Sequence, residues 1–366
     1  MCMQEYSTCP TIDHDGLHKI CCYSHSQHDC RDPVIDMPPC CYPTLVRKQK
    51  MTVNPGSKSH HPKAGLLSYL PAALVPYGEL LRVHRALGYY LNTSPYVVGI
   101  AYSAATAPTK LPLDLLLDRL LLLTLWSFIL RSAGCAWNDL IDVDIDRQIS
   151  RTQSRPLARG AISLPTATIF TACLFALGCS LFLFLPRQCA FEAGIEVFFA
   201  LLYPFGKRFT DHPQLILVNI AWAIPMAMHS LGVEPGRQIL SSICLCVFIA
   251  TVIVLIDLVY SRQDTEEDLK VGVKSMAVRY RDCIDTLAYS LFAISTLALL
   301  FGGLLGGLRA PFVVFSVGGH IVGFWTFLRA SLQTGPAGVE SRAKSSCLMA
   351  SIFWLLGLGI EYAVRV

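Results

Sequence analysis

The chain has 366 residues, of which 53% are hydrophobic and 15% charged, and it carries a net charge of +4 with a positive mean hydropathy of +0.47. That balance excludes an ordinary soluble domain and places the chain among helical membrane proteins. The basic residues sit in connections between apolar runs rather than on one face, which argues against a nucleic-acid partner.

Residues 1–75 are polar and rich in Pro, His and Cys, without apolar periodicity, and are expected to form a disordered cytosolic leader. Cys2, Cys9, Cys21, Cys22, Cys30, Cys40 and Cys41 fall here with His14, His18, His25 and His28. Their irregular spacing, with no C-x-x-C pair, argues against a zinc site. The segment lacks the early apolar core of a signal peptide, and Glu5, Asp13, Asp15 and Asp29 are foreign to a mitochondrial transit peptide. A start at Met37 or Met51 is a second reading of this end.

The remainder, 76–366, reads as one transmembrane domain. An amphipathic approach from Leu66 to Arg85 leads into apolar segments near 89–108, 113–137, 164–185, 190–206, 215–232, 239–260, 284–307, 311–331 and 347–364. The expected fold is all-α: a bundle of about nine transmembrane helices around a central apolar cavity. The polar stretch Asn92-Thr93-Ser94-Pro95-Tyr96 is expected to break the opening turn of the first span. Lys and Arg favour the leader side, which the positive-inside rule makes cytosolic. The expected location is the endoplasmic reticulum or another endomembrane, with the mitochondrial inner membrane as the alternative.

Two acidic clusters stand out on that side. The first follows the second apolar segment as N-D-L-I-D-V-D-I-D, Asn138 to Asp146. At 100° per residue Asn138, Asp142 and Asp146 share one helical face, Asp139 lies beside them, and Asp144 points away. An EF-hand is excluded, since Arg147 occupies the glycine position and Gln153 that of the bidentate Glu. The second cluster, D-L-V-Y-S-R-Q-D-T-E-E-D, puts Asp257, Asp264 and Asp268 on one face, with Asp257 still inside an apolar run. Arg155, Arg159, Lys207, Arg208, Lys270 and Lys274 are expected around the same mouth.

Two solvated loops would be the plain alternative. The combination instead suits a ligand made of metal and phosphate: carboxylates hold Mg²⁺, which bridges to a diphosphate, and guanidinium groups take the remaining charge. An allylic diphosphate held in this way ionises as charge on the leaving group is stabilised, and a dry, aromatic-lined cavity shelters the cation.

At these residues the sequence resembles the UbiA superfamily of intramembrane prenyltransferases. Asn138 to Asp146 matches N-D-x-x-D-x-x-x-D, Asp264 to Asp268 matches D-x-x-x-D, and Tyr203 to Lys207 matches Y-x-x-x-K. The resemblance implies that Asn138, Asp142, Asp146, Asp264 and Asp268 hold Mg²⁺, with the four aspartates catalytic. It also implies that Asn138, Arg82, Arg155, Tyr203, Lys207 and Lys270 serve the diphosphate. Two departures are Ala86, where the family has proline, and Met276, where it has threonine. Within the superfamily the chain is most similar to fungal enzymes that attach a prenyl group, here expected to be farnesyl from farnesyl diphosphate, to an aromatic polyketide phenolic acid in meroterpenoid biosynthesis. The alternative is the 4-hydroxybenzoate polyprenyltransferase of the ubiquinone pathway. An ion-coupled transporter would need acids at the bilayer midplane and internal repeats, and a di-iron desaturase would need several histidine boxes; neither pattern is present.

Overall fold

The computed structural model describes residues 65–333 and 338–364, apart from the side chains of Lys207 and Val271. Most of the expected leader, residues 1–64, therefore lies outside the described residues, while its last part carries a 3-10 turn at Leu66–Tyr69.

Fourteen α-helices follow among the described residues: α1 (Val75–Leu80), α2 (Ala86–Thr106), α3 (Leu113–Ile141), α4 (Val143–Asp146), α5 (Leu164–Ser180), α6 (Arg187–Phe209), α7 (Gln214–Leu217), α8 (Ala223–Ser230), α9 (Ile239–Ser261), α10 (Thr265–Val271), α11 (Met276–Arg279), α12 (Ile284–Leu305), α13 (Gly318–Gln333) and α14 (Val339–Val364). Local chemistry sets many of the ends. Pro112 and Pro186 occupy the N-caps of α3 and α6 in extended backbone, where a missing N–H leaves no hydrogen bond unmade. Ser163 caps α5 by accepting from the Thr166 N–H at 3.3 Å. Gly272, at φ 78°, ends α10 in the left-handed region.

Among the described residues six helical stretches are long and apolar enough to cross a membrane: Leu164–Phe184, Arg187–Gly206, Pro235–Lys270, Ile284–Leu305, Phe312–Gln333 and Val339–Val364. The expected segments 89–108 and 113–137 are the long helices α2 and α3, interrupted by polar and charged side chains. The segment 215–232 is α7, a 3-10 turn and α8 in succession, because no single register spans it.

The expected break at Asn92–Tyr96 does not occur; α2 runs through it. Two of its polar side chains turn toward α3 and are satisfied there. Asn92 donates to the Ser127 carbonyl at 2.8 Å, and Thr93 and Ser127 hydroxyls meet at 2.7 Å. Pro95 removes one helical hydrogen bond, which the neighbouring turns tolerate inside a membrane bundle. At Gly99 an added Cβ would stand 2.6 Å from that of Ala227, so α2 and α8 approach closely only through glycine.

Two buried apolar clusters build the interior. One joins Tyr102, Phe248 and Leu255 to Phe324 and Trp354; the other gathers Tyr96, Leu123, Trp126 and Met226. Buried carboxyls on α6 are tied into the second. Glu196 accepts from Tyr96 Oη at 2.6 Å and Trp126 Nε1 at 2.9 Å. One turn away, Glu192 pairs with His229 Nδ1 at 2.6 Å. A cavity of about 390 Å³ opens between α2, α3, α6 and α9.

Candidate active site

The end of α3 positions the first acidic cluster. The helix stops at Ile141, Asp142 adopts φ −95°, ψ 11°, and α4 then resumes for one turn. Helical register survives the interruption: the Asp142 N–H donates to the Asn138 carbonyl at 2.9 Å and the Asp146 N–H to the Asp142 carbonyl at 2.8 Å. Asp139, Asp142 and Asp146 are consequently 1%, 0% and 4% exposed, while the Asp144 side chain is 64% exposed. This is the division that helical phase predicts.

At the second cluster α9 gives way to a 3-10 turn, Arg262–Asp264, before α10 begins. Asp257, Asp264 and Asp268 nevertheless all border the cavity, as do Asn138 and Asp146. The two motifs, more than a hundred residues apart, thus open on one space. Its apolar wall includes Leu91, Leu130, Phe199 and Ile253, with Tyr203 and Tyr260 adding aromatic faces.

Arginines hold the carboxylates in place. Arg82 reaches Asp139 at 2.5 Å, and Arg155 bridges Asp139 at 3.1 Å and Asp146 at 2.6 Å. Arg151 crosses to the other motif, donating to both oxygens of Asp264 at 2.7–3.0 Å. Beside it, the Ser150 hydroxyl donates to Glu267 at 2.6 Å and its N–H at 3.1 Å. Burial alone would lower the pKa of Arg151, but its hydrogen bond and charge pairing with Asp264 raise it above the usual arginine value. Arg82 holds φ 61°, a left-handed backbone that a non-glycine residue adopts under strain, and its ion pair with Asp139 fixes it there.

Oxygen donors remain for a cation. Asn138 Oδ1 and Asp139 Oδ2 are buried without a hydrogen-bond partner, and amide and carboxylate oxygens suit Mg²⁺. Among the described residues no three acidic, His or Cys side chains are gathered closely enough to hold an ion as they stand; guanidinium groups occupy the carboxylates instead.

The other expected residues distribute as follows. Arg82, Arg155, Tyr203 and Lys274 border the cavity. Asp142 is buried at the break, outside the lining. Lys270 is exposed and outside it too, Arg159 turns to Glu79 on α1 at 2.5 Å, and Arg208 lies near Asp144 at 3.4 Å. Lys207 lies in α6, but its side chain is outside the described residues. Ala86 opens α2 without a proline, and the Met276 N–H is held by Gln214 at 3.2 Å. Sequence reasoning missed the Arg151 crossing and the cavity position of Arg131; the unbroken spacing of Arg147, Arg151 and Arg155 at four residues was the available signal for the first.

The chain is 85% identical over 309 residues to the polyprenyl transferase ausN of Emericella nidulans, covering 84% of this chain and 94% of that protein. It is 63% identical over 301 residues to the DMOA farnesyltransferase nvfB of Aspergillus novofumigatus, covering 82% and 95%. A UbiA homolog from Archaeoglobus fulgidus, solved bound to GPP and Mg²⁺, matches the fold with a TM-score of 0.58 at 16% identity, over 79% of this chain and all of that one. The model of the UbiA prenyltransferase family matches residues 93–356, and the chain belongs to that family.

Proposed function

We propose that this chain transfers a farnesyl group from farnesyl diphosphate to an aromatic phenolic acid of polyketide origin, in meroterpenoid biosynthesis. The observation that carries the proposal is the convergence of both acidic motifs on one apolar cavity whose mouth is lined with arginines. The farnesyl length rests on the named activity of the Aspergillus novofumigatus relative.

Asn138, Asp142, Asp146, Asp264 and Asp268 would hold Mg²⁺. When bound, the ion supplies positive charge to the diphosphate as that group departs. The protein's own part is to bind, orient and exclude water. Arg155, Arg82 and Tyr203, which border the cavity, serve the diphosphate end with Lys207, since guanidinium and ammonium groups grip phosphate oxygens; Lys270, exposed outside the cavity, is not part of that set. The prenyl tail runs down the apolar wall. The C1–O bond breaks with its electron pair going to the diphosphate, the acceptor ring forms the new bond to C1, and the ring proton then leaves. Phe199, Tyr203 and Tyr260 line the cavity, and an aromatic face turned to the cation is worth about 0.5–2 kcal/mol.

The domain is proposed to cross an endomembrane nine times, with α2, α3 and the α7–α8 stretch completing the six apolar stretches and the acidic mouth facing the cytosol. The test is incubation of membranes containing the chain with farnesyl diphosphate and a phenolic acid, with and without EDTA. Product that depends on both substrates and disappears with EDTA is expected. Equal product in both arms refutes the metal, and no product in either refutes the transfer.

A further inference from the structure

Glu196 borders the same cavity but belongs to neither acidic motif. It lies on α6 seven residues before Tyr203, and α6 reaches the acidic mouth at its other end, where Arg208 approaches Asp144 at 3.4 Å. Seven residues return to the same helical face, about 10 Å further along the axis. Glu196 therefore stands deep in the cavity, away from the arginines of the mouth.

The two oxygens of its carboxylate have unequal surroundings. Oε2 accepts from Tyr96 Oη at 2.6 Å and from Trp126 Nε1 at 2.9 Å. Oε1 is buried without a partner, on a residue that is 0% exposed. A carboxylate oxygen left unsatisfied at this depth is unfavourable, and an ionisable group inside a membrane protein that lacks its partner marks a ligand site. Two amides border the cavity as well. Asn219 commits its Nδ2 to the Glu196 carbonyl at 3.1 Å, and Asn92 commits its own to the Ser127 carbonyl at 2.8 Å. The oxygens left over on these side chains are acceptors, and acceptors require a ligand with polar hydrogens. The prenyl donor is not that ligand. Its tail has no polar hydrogen, and its diphosphate is an anion that a carboxylate repels. A hydroxyl on the second substrate fits.

We propose that Glu196 Oε1 accepts a hydrogen bond from a phenolic hydroxyl of the aromatic acceptor, the one directed away from the mouth. This inference rests on the aromatic-acceptor reading above. A hydrogen bond from a hydroxyl to a carboxylate is short and charge-assisted, so it sets how deep the ring sits. Glu196 is thus a specificity-determining residue, and Tyr96 and Trp126 are positioning residues that hold its other oxygen.

The test uses the full chain, purified in detergent, as wild type, Glu196→Gln and Glu196→Leu. Initial rates are measured with farnesyl diphosphate and a dihydroxybenzoic acid, and again with each of its two monomethyl ethers. Binding of the three acids without prenyl donor is followed in parallel. In wild type one of the two ethers should lose about tenfold or more in kcat/KM and in affinity. The variants should differ in kind. Tyr96 and Trp126 both donate to Oε2, so the amide oxygen of Glu196→Gln takes that place and its NH2 takes the place of Oε1. This variant donates where wild type accepts, and should prefer the ether to the free hydroxyl. Glu196→Leu should erase the preference without reversing it. The KM for farnesyl diphosphate should stay within about twofold throughout. Equal use of the diol and both ethers by wild type, which needs no variant to fold, overturns the proposal. So does a wild-type preference that survives in Glu196→Gln, or a change confined to the KM for farnesyl diphosphate. Glu196-dependent binding of the free hydroxyl without any prenylated product would leave this inference standing and refute the transfer reading.

Discussion

Asp144 and Asp139 are neighbours of the same motif with opposite surroundings. Asp144 is 64% exposed at its side chain and faces Arg208, itself 44% exposed, so their attraction is screened and contributes little. Asp144→Asn is expected to keep activity within about twofold, whereas Asp146→Asn should lose about a hundredfold or more, by comparing initial rates at saturating substrates. Asp139 has a different part. Its carboxylate joins Arg82 and Arg155, so Asp139→Asn takes the carboxylate partner from the partly buried Arg82 and leaves Arg155 with Asp146 alone. The expected loss is about 3 kcal/mol of stability, read as a lower thermal midpoint in detergent, together with lost activity. The outward direction of Asp144 was legible in the sequence, because helical phase alone assigns it. The clasp around Asp139 was not, because Arg82 lies 57 residues earlier and reaches it through a left-handed residue that no periodicity announces.

Among the elements, hydropathy located the apolar helices well but misjudged their joints. The last expected span, 347–364, is the final part of α14, which begins at Val339, because polar residues of its first turns are compatible with a helix outside the apolar run. The break expected at Pro95 failed because polar side chains within a membrane can be satisfied by the adjacent helix, information that lies on α3 rather than α2. Close helix approach is likewise decided by partners. A Cβ at Gly303 would fall 2.0 Å from the Phe312 ring, whereas one at Gly359 meets nothing within 4 Å. Gly303→Ala is therefore expected to destabilise by about 1–3 kcal/mol through overpacking. Gly359→Ala should be neutral or slightly stabilising, and thermal unfolding of the two variants side by side checks the contrast. The crossing from Arg151 to Asp264 ties the loop after α4 to the turn after α9. Arg151→Ala should lower activity by about tenfold or more, with Arg151→Lys intermediate, because a lysine cannot restore the paired hydrogen bonds.

The whole molecule is a multi-pass membrane protein in which both acidic motifs border one cavity and polarity also persists inside the bundle. The first property was readable from the sequence, since the two acidic motifs each follow an apolar run and match one family pattern in order. The second was not, because Glu192 and Glu196 carry no motif and acquire partners only from α2, α3 and α8. Those two carboxyls have a consequence for how the protein is made. On insertion scales a carboxyl at the centre of a span costs about 2.5–3.5 kcal/mol, and α6 presents two, one turn apart. As a lone segment α6 should enter the bilayer poorly and stay there only once Trp126 and Tyr96 have arrived to receive Glu196. Biogenesis would then hold α2 and α3 at the insertion machinery until α6 emerges, so a chain from which α2 and α3 are deleted should leave α6 stranded. Replacing both glutamates with leucine should let the isolated segment insert unaided, as a glycosylation-tag assay would read directly.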